Sequence, residues 1–182
     1  MADLGFFQGA APVVLTDDND LYSTYSAAVV GLATAALATD IFTITGSATK
    51  TVKVIHVEVT GTETTSAIRD ILLIKRSSAN SGGTFTSPTV VPHDSNNAAG
   101  TAIVKAYTAN PTLGTTIGTI RVRKVDVEAT NLVGASDDVI WEFGGLCQPI
   151  VLRGTGEVLA VNLNGVTSSG SSFDISVEWT EE

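Results

Sequence analysis

A single cysteine occurs among the 182 residues, so the chain cannot form an intramolecular disulfide. Small domains that mature in oxidising compartments usually depend on such bonds. Their absence indicates assembly in a reducing compartment or a fold that is stable without them. We interpret Cys147 as a small buried packing residue. The N-terminus also lacks the basic region of a secretory signal, so we expect no export leader.

Basic residues are scarce as well. Ten Lys and Arg stand against 19 Asp and Glu, which gives a net charge of -9. Nucleic-acid binding requires clustered cations that neutralise phosphates, so we expect no nucleic-acid partner. The two basic clusters, at 75–76 and 121–124, both fall within predicted strands, and we interpret them as solvated or ion-paired strand faces.

Residues that carry chemistry are few, since the chain has only two histidines. His93 and Asp94 are adjacent, but no G-x-S-x-G nucleophile motif accompanies them. The acidic run 17–20 lacks the alternating ligands, glycine and distal glutamate of a calcium loop. Two histidines and one cysteine do not make a zinc site. We therefore predict no catalytic residues, no metal and no cofactor.

No long hydrophobic run is present either. The apolar stretch 27–38 is too short to cross a bilayer, so we expect no membrane partner. Residues 1–38 contain no Lys or Arg, and Gly31 interrupts any long helix. We interpret residues 1–38 as an extended apolar N-terminal arm that packs on its own β-domain, a sister subunit or a larger assembly. Candidate contact residues in this arm are Leu21, Tyr22, Tyr25, Val29, Val30 and Leu32.

β-strand sequence is abundant from residue 39 onward. Short runs of Val, Ile and Thr alternate with Gly, Ser, Asn and Pro, which predicts an all-β chain with an antiparallel β-sandwich over residues 39–182. The segments 41–45 and 51–60 are predicted to form a hairpin. In the second segment the apolar residues change from even positions, Val52 and Val54, to odd positions, Val57 and Val59. Because side chains alternate between the two faces of a strand, this change predicts a bulge between the two pairs or a strand that passes between two sheets.

Seven further strands are predicted, and both tryptophans fall at positions that alternate toward the core. The predicted strands are 70–76, 102–108, 119–127, 139–143, 149–153, 157–163 and 172–179. The loop 77–100 is too long for a passive connection, so we expect it to provide contact surface, with Phe85 and His93 as candidates. Tyr107 is the best candidate for an exposed aromatic platform.

One route to catalysis is left open by the sequence. Glu58, Glu142 and Glu178 are distant in the chain but lie on predicted strands, so they could converge on one sheet face as a hydrolytic carboxylate pair.

Several extended stretches resemble a family of small virion structural proteins of tailed bacteriophages. They are ATDIFTITGSATKTVKV, RDILLIKRSSANSGGT, VPHDSNNAAGTAIVKAYTANPTLGT, and IVLRGTGEVLAVNLNGV with SFDISVEWTEE. The similarity covers most of residues 39–182. It implies a β-sandwich of jelly-roll type in a capsid decoration, cement or head-fibre protein, without catalytic residues and often assembled as a homotrimer.

This resemblance implies a virion location after assembly in the host bacterial cytoplasm, with the major capsid protein or other virion proteins as partners. A carbohydrate-binding or host-receptor-binding module built on the same sandwich is the alternative, because a β-sandwich does not determine function.

Overall fold

The computed structural model describes residues 22–131, 137–145, 147–168 and 170–182, and all regular elements in them are β-strands. The strands are β1 (Ser23–Leu32), β2 (Asp40–Thr45), β3 (Val52–Thr62), β4 (Ala67–Arg76), β5 (Thr84–Thr86), β6 (Val91–Pro92), β7 (Ile103–Ala109), β8 (Thr116–Val127), β9 (Val139–Glu142), β10 (Ile150–Leu152), β11 (Val158–Asn162) and β12 (Ser172–Glu181). No helix long and apolar enough to cross a membrane occurs in these residues.

The strands form two six-stranded antiparallel sheets. The first sheet has the order β10-β3-β12-β1-β6, with β9 also paired to β3, and the second has the order β5-β7-β2-β11-β4-β8. The pairing is nested along the chain: β1 pairs with β12, β2 with β11, β3 with β9 and β10, and β4 with β8. The predicted all-β sandwich is confirmed.

The core lies between the two sheets and consists of aliphatic and aromatic side chains that alternate inward. Trp179 is fully buried and stacks on Tyr25, with 6.0 Å between the ring centroids. Trp141 is also buried. The predicted inward orientation of both tryptophans is confirmed.

Residues 23–32, which were expected to belong to the arm, form β1. This strand pairs with β12 from Ser23 opposite Glu181 to Leu32 opposite Phe173. Its side chains Tyr25, Ala27 and Leu32 belong to the core. The prediction of an arm outside the sandwich is therefore wrong for these residues. Residues 1–21, with Leu21, lie outside the described residues.

The predicted hairpin of 41–45 and 51–60 is also wrong. β2 lies in the second sheet and β3 in the first, so the intervening turn crosses between the sheets. The parity change in β3 has the predicted cause: Glu178 pairs with His56 and Trp179 with Val54, which leaves Ile55 as the extra residue of a bulge.

β2 and β11 are buried on both faces, because two loops cover the outer face of the second sheet. The residues 77–81 and 112–115 are joined by backbone hydrogen bonds, such as those between Ser81 and Thr112. Beneath them the Asp40 carboxylate accepts hydrogen bonds from Arg76, Asn80 and Asn162 at 2.6–2.7 Å. The remainder of the long loop contains β5 and β6, which extend one sheet each.

Glu181 closes one end of the sandwich with a buried carboxylate. Its oxygens accept hydrogen bonds from the indole of Trp179, the backbone of Ala102, and the backbone and hydroxyl of Thr101. Burial alone would raise the pKa of Glu181, but these hydrogen bonds outweigh it and lower the pKa below its ordinary value. The C-terminal strand is thereby attached to the two residues directly before β7 of the opposite sheet.

We expect Glu181→Gln to lower the free energy of unfolding at pH 7 by about 1–3 kcal/mol, because an amide supplies weaker acceptors and places an NH₂ against donors. Since the folded-state pKa lies below the unfolded value, the charged form stabilises the fold above pH of about 4.5, and this contribution is lost as the pH falls through the folded pKa. Urea unfolding at pH 7 and pH 3 measures both effects. An equal difference between the two proteins at both pH values would contradict this role of the charge.

Candidate functional site: a histidine-centred groove

A row of polar side chains crosses the outer face of the first sheet. Strand register places Ser26 of β1 opposite Glu178 of β12, Glu178 opposite His56 of β3, and His56 opposite Glu142 of β9. Opposed residues on neighbouring antiparallel strands share a face, so these four side chains form one line. Glu58, two residues beyond His56, lies on the same face. The sequence left open that Glu58, Glu142 and Glu178 could converge on one sheet face, and the strand register places them there.

The bulge at Ile55 determines where His56 points. Val52 and Val54 are buried, so regular alternation would direct residue 56 into the core. The extra residue shifts the parity, which returns Val57 to the core and places the half-buried His56 on the solvent side.

His56 lies between carboxylates without a close hydrogen bond to them. Its Nε2 is 3.7 Å from Oε2 of Glu58, and its Nδ1 is 3.9 Å from Oε1 of Glu142. These separations exceed hydrogen-bond length, so they are long ion pairs when the imidazole is protonated. The groove around His56 has a volume of about 470 Å³.

Two of the residues that line the groove are aromatic, and each has a cation beside its ring. Lys53 Nζ lies 4.9 Å from the ring centroid of Tyr22, and the Arg121 guanidinium lies 5.3 Å from that of Phe143. Lys53 also pairs with Glu182 at 2.6 Å. The hydrogen bond from Lys53 is the main reason that the pKa of Glu182 is lowered.

The side chains that line this groove can take part in ionic and hydrogen-bonding recognition. Glu142 and Glu178 occupy strands on either side of β3, about 9–10 Å apart at the backbone. A glycosidase acid is ordinarily kept protonated by an apolar pocket, whereas the Glu142 side chain is 81% exposed. In the described part of the chain, no group of three or more His, Cys, Asp and Glu side chains is arranged to hold a metal ion.

The predicted contact residues have three different environments. Tyr22 lines the groove. Tyr25 and Leu32 are core residues, so their proposed roles as partner contacts are wrong, because β-pairing with β12 turns them inward. The other predicted contacts remain at least partly accessible: Val29 is half-buried, and Val30, Phe85 and His93 are exposed.

Two other predicted environments are wrong. Cys147 is exposed, at the rim of the groove, because it follows the turn that ends β9 rather than occupying a strand. Tyr107 is only 3% exposed, because Phe85 of β5 packs against its ring at 5.6 Å between centroids. Sequence reasoning did not identify β5, and therefore did not identify this cover.

Comparison with known protein families, curated proteins and solved structures finds no match for this chain.

Proposed function

We propose that this chain is a non-enzymatic virion structural protein that decorates or stabilises a phage capsid through protein-protein contacts. We also propose that it assembles as a homotrimer and that its sandwich is a jelly roll. The nested pairing of β1 with β12, β2 with β11 and β4 with β8 supports the jelly roll, because wrapping one antiparallel ribbon into two sheets produces that order.

The observation that carries the contact function is an apolar rim on one side of the sandwich. Within the long loop, β5 adds to the edge of the second sheet and β6 to that of the first. β1 and β7, which bear β6 and β5, pack against each other, so the two additions lie on the same side. They expose Phe85 by 41% and Val91 by 51%, and neighbouring Ile103 by 49%. Strand pairing holds these side chains in fixed positions, which suits a permanent interface.

The decisive experiment adds the purified protein to expanded capsids that lack it, with cryo-microscopy to report site and copy number. We expect binding that Val91→Asp weakens at least tenfold, because a carboxylate would be buried in an apolar interface. Ile68→Asp, at a side chain 65% exposed on β4, is the matched control. Equal binding by both variants would show that the rim is not part of the interface. Sedimentation of the free protein tests the trimer, and a monomer at micromolar concentration would refute it.

The second candidate, a carbohydrate-binding or receptor-binding module, is favoured by the groove. Carboxylates, an imidazole and two aromatic rings line it, which are the groups that bind sugar hydroxyls and ring faces. Both rings already have a cation beside them, which leaves less ring surface for stacking. Binding to host-surface polysaccharide but not to capsids would replace the first candidate with this one.

A further inference from the structure

The edge of the first sheet is open beside the second half of β1. On one side, β12 pairs along the whole of β1. On the other side, β6 pairs only with Tyr25 and Ser26. β6 extends no further because residues 87–90 leave the first sheet and cross to β5 in the second. Among the described residues, no backbone group pairs with β1 on this side after Ser26.

Two residues of β1 direct their backbone groups toward this open side. The Thr24 carbonyl accepts a hydrogen bond from the backbone of His93 there, and alternate residues of a strand point their N–H and C=O groups to the same side. Ala28 and Val30 therefore also point toward it. Both side chains are exposed, Val30 by 82%, so a strand at this position would cover apolar surface as well. We define the open edge as Ala28 and Val30.

The open edge lacks the features that protect sheet edges. Natural edge strands avoid unwanted pairing by being short or by carrying bulges, charges or proline. The other edge strands have such features: β5, β9 and β10 have three or four residues, β6 carries Pro92, and two register shifts interrupt the pairing of β8 with β4. Residues 27–30 are uncharged and contain no proline, so this part of β1 is suited to accept a strand.

Residues 12–16, which precede the described part of the chain, have a composition that suits this edge. They read Pro-Val-Val-Leu-Thr, and residues 4–16 contain no charged side chain. To pair within the same copy, the chain between residue 16 and Tyr22 would have to pass around β6. Six chain steps span at most about 20 Å, which is no more than the direct distance of about 20 Å from Tyr22 to Ala28 along β1. The edge within reach of these residues therefore belongs to another copy.

We propose that residues 12–16 of one copy add as a strand to the open edge of a second copy. The added backbone supplies the hydrogen-bond partners of Ala28 and Val30, and its apolar side chains lie beside Val30. Each copy donates one strand and accepts one, which is a heterologous contact that closes into a ring when the rotation permits. The inference rests on the proposed homo-oligomer and names the contact that joins its copies.

The test separates the acceptance of a strand from its donation. Ala28→Pro removes an N–H that faces the open edge, so it blocks an added strand without breaking a hydrogen bond of the described strands. A chain that lacks residues 1–21 keeps all the described strands but has no strand to donate. We expect each variant to weaken self-association at least tenfold in sedimentation velocity. Ala28→Ser keeps the N–H, so it is the matched control and should associate like the wild type. Circular dichroism checks that each protein is folded.

A mixture of the two variants decides the proposal. The Ala28→Pro chain can donate its strand to the open edge of the truncated chain, so the mixture should form a one-to-one complex that neither variant forms alone. Wild-type association by either variant, or a mixture no larger than its components, would overturn the strand exchange while leaving the homo-oligomer to other surfaces. A wild-type chain that is monomeric at micromolar concentration would overturn the strand exchange and the homo-oligomer together.

Hydrogen exchange tests the open edge without a substitution in β1. In the wild-type oligomer the amides of Ala28 and Val30 should exchange slowly, whereas in the chain that lacks residues 1–21 they should exchange as fast as open backbone. Fast exchange in the wild-type oligomer would overturn strand addition. Slow exchange in both proteins would overturn residues 12–16 as the occupant and assign the edge to a strand of another origin, such as β1 of a second copy.

Discussion

A chain that lacks residues 1–38 is expected not to fold. The truncation removes β1, which lies between β12 and β6 in the first sheet. It also removes Tyr25, Ala27 and Leu32 from the core and breaks the stacking of Tyr25 on Trp179. Burial of a large apolar side chain contributes about 1.5–3 kcal/mol, and domains of this size are stable by only about 5–15 kcal/mol in total. The free energy lost with this strand, its hydrogen bonds and its buried side chains is therefore comparable to the total free energy of unfolding.

The matched control is a chain that lacks residues 1–21 only. All the described strands of both sheets lie within residues 22–182, so this shorter truncation is expected to give a cooperative unfolding transition close to that of the full chain. Thermal melts followed by circular dichroism, together with solubility, compare the three proteins. A folded protein without residues 1–38 would show that the sandwich does not require β1, and would restore the interpretation of the whole segment as an arm.

The strands after residue 39 could be predicted because apolar and polar residues alternate within most of them. All nine predicted strands are present. In β12, for example, the buried residues Phe173, Ile175 and Val177 occupy alternate positions, so the sequence of the strand alone indicates which face is buried. The bulge at Ile55 was predictable for the same reason, because a parity change in one strand requires an extra residue.

Pairing partners could not be predicted in this way. β1 was not identified because its small residues also suit an arm, and because its partner β12 lies about 150 residues further along the chain. β2 and β3 were joined as a hairpin because sequence proximity favours neighbours, whereas nested pairing sends them to different sheets. The sequence alone allowed Glu142 and Glu178 to converge beside His56 but did not require it. A shift of one residue in the pairing register would move every side chain of a strand to the opposite face, so the convergence depends on the observed register.

The buried Asp40 network also could not be predicted, since no local pattern marks it. Arg76 donates through Nε and Nη2 to both carboxylate oxygens of Asp40 at 2.7 Å, and both side chains are buried. The other guanidinium donor, Nη1, reaches the carbonyl of Gly114 and the hydroxyl of Thr116. Asn80 bridges from Asp40 to the backbone of Gly114. The network thus attaches both covering loops to the second sheet.

Asp40→Ala is expected to lower the free energy of unfolding by about 3–5 kcal/mol, because it leaves the Arg76 guanidinium buried without a counter-ion. The matched control is Asp70→Ala, which breaks the exposed pair between Asp70 and Lys124 and should cost at most about 1 kcal/mol. Denaturant unfolding measures both. Replacing both partners, Asp40→Ala with Arg76→Met, should recover part of the loss, because no buried charge then remains unpaired. A small effect of Asp40→Ala alone would show that water reaches Arg76 and that the two loops do not seal the outer face of the second sheet.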